Sequence, residues 1–376
     1  MQEDARLEAL TKTNPLFGHR KLKLGTFCTN VSGAGTISTM EGVFELNWEN
    51  TKKTATLAED MNFEAIVPLA RWRGFGGVTD FNGAQFESLT FAAALSALTT
   101  YPSVFSTVQV PSVHPVLAAK QATTIDHVSG GRFSLNVVTG WSRRDVELFG
   151  SPLLAHDQRF VVAEEWLTLM KLLWTSEEPM DFDGKFFQVK DALQRPRPIQ
   201  PYPVLMNASS SSIGRHFAAK HFDVIFIPLK GRDPQSIREQ VQAYRDFART
   251  EFGREVKIWI NSYVILGDSQ EDAERQFDYC VNEKGDWTAA QNMLGELGLV
   301  SNATINPEFL KVITTDIMAG WGGLKLLGTA DKIVSDLNML VDAGIDGTLL
   351  TWPNFIGGMQ RFKEEVHPLL VQQGLR

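Results

Sequence analysis

Apolar residues follow two patterns that alternate along the chain. Short runs that are apolar nearly throughout begin at Lys21 (KLKLGTFC), Ala65 (AIVPLA), Val104 (VFSTVQV), Phe133 (FSLNVVTG), Pro203 (PVLMNAS), Val224 (VIFIPL), Lys257 (KIWINSYVIL) and Gly347 (GTLLTW). Runs of this kind predict parallel strands covered on both faces. Between them, apolar residues step by three or four: Phe160, Ala163, Leu167, Met170, Trp174; Ile237, Val241, Tyr244, Ala248; Ile333, Leu337, Leu340. That spacing predicts amphipathic helices with one face turned inward. Asp157, Asp233 and Thr329 stand near the helix starts, where a side-chain oxygen can accept from free backbone N–H groups. Roughly eight strands alternating with helices predict an α/β fold of the TIM (β/α)8 barrel type. The rival, a doubly wound sheet, carries phosphate-binding glycines after its first strand. TNVSGAGTIST in that region has no GxGxxG, and RGFGGVT places Thr79 where the third glycine belongs.

Three stretches break the alternation. MDFDGKFFQVKDAL predicts a β-hairpin near 180–193 with Asp183–Gly184 at its turn, followed by the Pro-rich RPRPIQPYP. Residues 283–325 are rich in Gly, Asn and Thr, and read as a lid-like insertion over the C-terminal face or as an oligomer contact or surface excursion. Residues 1–20 read as an N-terminal tail or an arm on a neighbouring subunit, leaving 21–376 as a single barrel domain with insertions. The 376 residues exceed the about 250 of a plain barrel, and these three stretches account for the excess.

Charge narrows the partners. The net charge of −8, without blocks of Lys or Arg, excludes nucleic acid and anionic membranes as targets. No apolar run approaches the roughly 20 residues of a membrane span. MQEDARLEALTKTN has neither the basic nor the apolar region of a signal peptide. Cys28 and Cys280 stand alone, which excludes a disulfide framework or a cysteine zinc site and fits a reducing cytoplasm.

Barrel chemistry sits where the strands end, so polar residues there are the candidates. The third strand ends in Thr107 and Gln109, with His114 at the following helix start; the fourth carries Asn136 and Thr139, then Gly140–Trp141. The fifth runs into Asn207–Ala208 and four serines, Ser209 to Ser212, before a helix; the last gives Thr351–Trp352–Pro353–Asn354–Phe355. The serine run is either a capping turn or, with the N–H groups of the next helix, a nest for a phosphate. His114 is either a capping residue or a hydrogen-bond or proton donor to a ligand. Trp141, Trp352 and Phe355 are candidates to line an apolar pocket. His156, His216, His221 and His367 have no metal-ligand spacing, so no metal is expected, and neither GxSxG nor GxxxxGK[ST] occurs. The residues alone point to a barrel enzyme that binds a phosphorylated or otherwise anionic organic ligand.

RWRGFGG (Arg71–Gly77), AAKQATTIDHVSGGRFSLNVVTGW (Ala118–Trp141), HDQRFVVAEEW (His156–Trp166), ASSSSIGRHFAAKHFD (Ala208–Asp223) and LLGTADKIVSDLNMLVDAGIDGTLL (Leu326–Leu350) carry a resemblance. The chain resembles the bacterial luciferase-like flavin monooxygenases, most of all the branch with pyrimidine and dimethyl sulfone monooxygenases. The resemblance implies a barrel that binds reduced FMN (FMNH2) and uses O2 as co-substrate. It implies flavin contacts from Ala70 and Arg71, Asn136 beside the isoalloxazine, and a phosphate-binding serine at Ser211, with Ser209 beside it. Thr107 corresponds to a threonine where oxygen meets the flavin. Arg159–Phe160 match an Arg–Tyr pair without the tyrosine hydroxyl, and Asp145 stands where the pyrimidine enzyme has glutamate. The implied activity is two-component oxygenation, through a flavin peroxide at N5 or C4a, of a small heteroaromatic or aromatic compound in a catabolic pathway. A separate NAD(P)H:flavin reductase and a homodimer or homotetramer are implied as partners. Riboflavin cleavage, sulfone oxygenation, deazaflavin-dependent dehydrogenation and non-catalytic flavin binding are the alternatives.

Overall fold

The computed structural model describes residues 2–299 and 307–376. Eleven strands are present among them: β1 (Lys23–Phe27), β2 (Ala65–Val67), β3 (Ser103–Gln109), β4 (Ser134–Val138), β5 (Met180–Asp183), β6 (Gln188–Ala192), β7 (Val204–Asn207), β8 (Val224–Phe226), β9 (Lys257–Leu266), β10 (Leu324–Gly328) and β11 (Gly347–Thr351). The parallel order β9-β11-β1-β2-β3-β4-β7-β8 closes on itself through pairing of β8 with β9. This is the expected eight-stranded (β/α)8 barrel, and all eight apolar runs supply its strands. The strands are buried almost throughout, so their continuous apolar character follows from burial on both faces.

β10 is a ninth strand, not expected from the sequence. β8 spans only three residues and pairs with β9 as far as Trp259. Beyond that point the β8-side edge of β9 is open, and β10 takes it from Ser262 to Leu266. The antiparallel β5–β6 hairpin lies where the pattern placed it, with Asp183 opposite Gln188.

The stepping residues of the helices His156–Thr175, Pro234–Phe252 and Ala330–Asp342 are all buried. Burial of each Leu, Ile, Val, Phe or Met among them contributes about 1.5–3 kcal/mol. Asp233 caps its helix by accepting from Ser236 N. Thr329 occupies a cap position without a side-chain bond, and Asp157 falls inside the first turn and pairs with His156 at 2.7 Å.

Residues 2–17 differ from the expected tail. They form the helix Gln2–Thr13 and the turn Pro15–Phe17, and they lie across the ends where the strands begin. Leu10 and Leu16 are fully buried. The Arg6 guanidinium donates to both oxygens of Asp223, at 2.8 and 2.7 Å, and stacks 3.8 Å from the Tyr202 ring centre. A buried bidentate pair of this kind fixes the segment to the barrel floor.

The expected insertion at 283–325 consists of the helix Trp287–Glu296, the helix Pro307–Gly320 and the start of β10; its middle, 300–306, lies outside the described residues. It packs a second apolar cluster, including Ala290, Met293 and Met318, against Ile37, Phe75, Phe81 and Tyr263. No helix among the described residues is long and apolar enough to cross a membrane.

Candidate active site

Two strand ends build the centre of the site. β3 and β4 pair in parallel with Thr107 opposite Asn136. The Thr107 hydroxyl donates to the carbonyl of Pro68 at 2.6 Å and accepts from Asn136 Nδ2 at 3.1 Å. The hydroxyl proton is thereby committed to the backbone, and Thr107 orients the amide of Asn136. The other amide atom, Asn136 Oδ1, is buried and has no protein partner. A buried acceptor left empty costs about 1–3 kcal/mol, so a ligand N–H is its natural complement.

The segment after β2 supplies a buried cation. Arg71 is 4% exposed, with its guanidinium carbon 4.2 Å from the Phe75 ring centre and 5.1 Å from that of Trp141. Its Nη1 stands 3.2 Å from Asp145 Oδ2, an ion pair without hydrogen-bond alignment, and its Nη2 donates to Arg73 O at 2.8 Å. Nε and Nη1 have no acceptor. Asp145 comes from the short helix Arg143–Glu147, accepts from Gln109 Nε2 at 3.1 Å and is in reach of Trp72 N at 3.3 Å. Burial pushes the Asp145 carboxyl above the ordinary carboxylate range, with Arg71 pulling the other way. Both oxygens of Asp145 are spent on protein groups, so it acts through Arg71 instead of touching a ligand. Gln109 also donates to Ala70 O at 2.9 Å, which fixes the start of the same segment.

A separate cradle forms after β7. Ser211 caps the helix Ser212–His221, its hydroxyl accepting from Gly214 N at 3.1 Å. Ser209 and Ser211 are half-buried, and the first helical turn presents N–H groups without intrahelical acceptors. Gly214 is required: a Cβ there would stand 2.6 Å from Ser209 Cβ, 2.9 Å from Ser211 Oγ and 3.1 Å from the Phe160 ring. Phe160 packs on Phe217 at 5.7 Å. Its neighbour Arg159 donates to Gly140 O at 2.7 Å and keeps a buried Nε without a partner.

Not every candidate joins these groups. His114 is exposed, accepts from Val116 N at the helix start and lies edge-on to Phe187 of the hairpin turn. The structure thus gives it the capping role and sets it apart from the polar centre. Trp352 and Phe355 are each 1% exposed and pack on one another, Trp352 also on Phe362 and Phe355 on Phe44. Successive strand residues face opposite ways, and Trp352 faces outward beneath the next helix. Trp141 does reach the site, stacked on Phe75 at 6.4 Å. Phe75, Phe81 and Trp321 complete an aromatic wall that sequence reasoning missed; neither the failed glycine motif RGFGGVT nor the family motif RWRGFGG singles out Phe75 as part of a wall. Among the described residues no group of three or more His, Cys, Asp or Glu could hold a metal.

Residues 22–347 match the family described as Luciferase-like monooxygenase. The chain belongs to the luciferase-like monooxygenases. Pyrimidine monooxygenase RutA of Acinetobacter baylyi (strain ATCC 33305 / BD413 / ADP1) is 27% identical over 94% of this chain and 95% of its own. The FMNH(2)-dependent dimethylsulfone monooxygenase of Pseudomonas putida is 30% identical over 93% of this chain and 95% of its own. Riboflavin lyase (RcaE), solved with modified FMN and riboflavin, superposes with a TM-score of 0.83 at 22% identity, covering 94% of this chain and 92% of its own; at that identity the likeness is one of fold. Membership of the luciferase-like monooxygenases makes this chain an enzyme of the monooxygenase class, as the motif resemblance implied. Its polar centre, arginine pair and serine cradle all stand at the C-terminal ends of the strands, where a barrel carries its chemistry.

Proposed function

We propose that the protein is a monooxygenase that uses reduced FMN and O2 on a small planar heteroaromatic or aromatic compound, with reduced flavin delivered by a separate reductase. The observation that carries this reading is the orphaned Asn136 Oδ1, held by Thr107 at the barrel mouth. It fits an isoalloxazine edge bearing N–H donors, and the Ser209–Ser211–Gly214 cradle fits the phosphate. Arg71 Nε and Nη1 and Arg159 Nε are further buried donors that suit the carbonyl and phosphate oxygens of such a group. Bound reduced FMN supplies the electrons and the activation of dioxygen. The chain's own part is to bind, orient and exclude water. Asn136 accepts a ligand N–H, Thr107 keeps that amide aimed, and Asp145 with Gln109 fixes Arg71.

Half-buried Trp141 and Trp321 flank the buried Phe75 and Phe81, so the substrate meets flat apolar faces. Trp321 holds a left-handed conformation, φ 55°, at the end of the helix Pro307–Gly320, where glycine is the usual occupant. Such strain is retained where the side chain is needed. The short, internally bonded Asp145 and the missing Phe160 hydroxyl separate this site from a pyrimidine enzyme of glutamate and tyrosine type.

Titration of the purified protein with reduced FMN and with reduced deazaflavin, with oxygen uptake followed, tests the reading. Tight binding of reduced FMN and substrate-dependent oxygen uptake are expected; preference for deazaflavin without oxygen uptake overturns it. Two variants refine the assignment. Gly214→Ala puts a methyl into the cradle and is expected to weaken FMN about tenfold, roughly one charge-assisted hydrogen bond, while riboflavin, which lacks the phosphate, binds as before. Equal loss for both ligands would place the phosphate elsewhere. Trp321→Ala is expected to raise KM for an aromatic substrate about 3- to 10-fold, the size of one aromatic contact, with FMN affinity unchanged. An unchanged KM removes Trp321 from the substrate wall.

A further inference from the structure

The insertion reaches the site through one carboxylate. Glu296 is the last residue of the helix Trp287–Glu296. Its Oε2 accepts from Ser142 Oγ at 2.8 Å and stands 3.7 Å from Arg71 Nη2, and its Oε1 is 3.5 Å from Arg144 Nη1. Glu296 thus joins three pieces of chain that are remote in sequence: the segment after β2, the short helix after β4 and the insertion. The rest of its helix runs along the same segment. Asn292, one turn earlier, donates to Phe75 O at 2.7 Å, and Asp286 at the helix start accepts from both N and Oγ1 of Thr79 at 2.8 Å. Arg144 adds a bond to Gly74 O at 3.0 Å.

We infer that Glu296 is a positioning residue of the active site, the second carboxylate that holds Arg71 against its aromatic neighbours. Arg71 lies against both the Phe75 and the Trp141 ring with almost no access to water, so its charge must be met by protein groups. Asp145 meets one edge of the guanidinium and Glu296 approaches Nη2. Two carboxylates from different segments fix both the position and the rotation of the guanidinium plane, which one alone does not. Nε and Nη1, the donors without acceptors, are thereby held in one direction for a ligand oxygen. The insertion is on this account a working wall of the site, placed by ion pairing as much as by its apolar face.

The ligand half of this inference rests on the flavin reading; the holding of Arg71 does not. The test compares the full-length protein with Glu296→Gln, which keeps the Ser142 bond and removes the charge, and with Glu296→Ala. Amide hydrogen exchange over residues 70–79 is measured without ligand, FMN affinity by fluorescence quenching, and overall stability by thermal unfolding. In Glu296→Ala, exchange over 70–79 is expected to rise about tenfold and FMN affinity to fall about tenfold, with Glu296→Gln in between and thermal unfolding changed far less. Unchanged exchange in both variants overturns the positioning role, whatever happens to FMN. A wild-type protein that ignores FMN, with exchange still faster in the variants, sinks the flavin reading and leaves the positioning role standing. If Glu296→Ala fails to fold, the comparison with Glu296→Gln decides alone.

Discussion

Replacement of Asn136 by alanine is expected to lower kcat/KM for oxygen transfer about 100-fold or more, the loss seen when one preorganised hydrogen-bonding group leaves a reacting centre. Asn136 Oδ1 is a buried amide acceptor at the end of β4 that faces no protein donor, and its amide is oriented by a second strand-end residue, Thr107. Its Nδ2 is committed to Thr107, whose own proton is committed to Pro68 O. Asn136→Asp is expected to fare no better. A carboxylate cannot donate to the Thr107 oxygen, and its charge would be buried opposite a lone pair. Thr107→Val keeps the shape and frees the amide to rotate, so a smaller loss, about tenfold, is expected, and it falls on kcat more than on FMN affinity. Steady-state kinetics with equilibrium FMN binding on the three variants check the order. Equal activity in Asn136→Ala and wild type contradicts the assignment.

The second large effect is on stability. Asp223→Ala is expected to destabilise the fold by about 3–5 kcal/mol, because it removes the buried carboxylate that meets both the Arg6 guanidinium and Arg254, 3.1 Å from the same group. Burial works to raise the Asp223 pKa, and Arg6 and Arg254 outweigh it and hold the carboxyl below its ordinary range. A depressed acid contributes stability that is complete above the unfolded pKa of about 3.9 and is lost as pH falls through the folded value. The deficit of the variant is therefore largest near neutral pH and shrinks as pH falls below about 4. Urea unfolding midpoints at the two pH values check both statements. An identical midpoint at neutral pH would restore the N-terminal segment to the status of a loose tail.

That segment shows where sequence reading reaches its limit. QEDARLEALTKT has no strong apolar face, and what docks it is a pair of residues 217 positions apart. The eight barrel strands were legible because burial on both faces leaves an unbroken apolar run. β10 was not, because its pairing depends on the edge that the short β8 leaves open. In the site, Thr107 and Asn136 stood out as polar residues ending apolar strands. Arg71 and Asp145 carried a signal only through the family motifs. Trp352 and Phe355 were misread because position at a strand end does not say which face a side chain takes. Glu296, Phe75 and Trp321 gain their meaning from the packing of a distant insertion against the segment after β2, which no local pattern encodes.

The most direct test of the central claim is the fate of oxygen. The protein is supplied with FMN, a separate NAD(P)H:flavin reductase, isotopically labelled dioxygen and a panel of heteroaromatics, dimethyl sulfone and riboflavin, and the products are read by mass spectrometry. One labelled oxygen atom is expected in an aromatic or heteroaromatic product, absent without reduced FMN and reduced to background in Asn136→Ala. A product formed with no labelled oxygen, or formed equally well by Asn136→Ala, would contradict it.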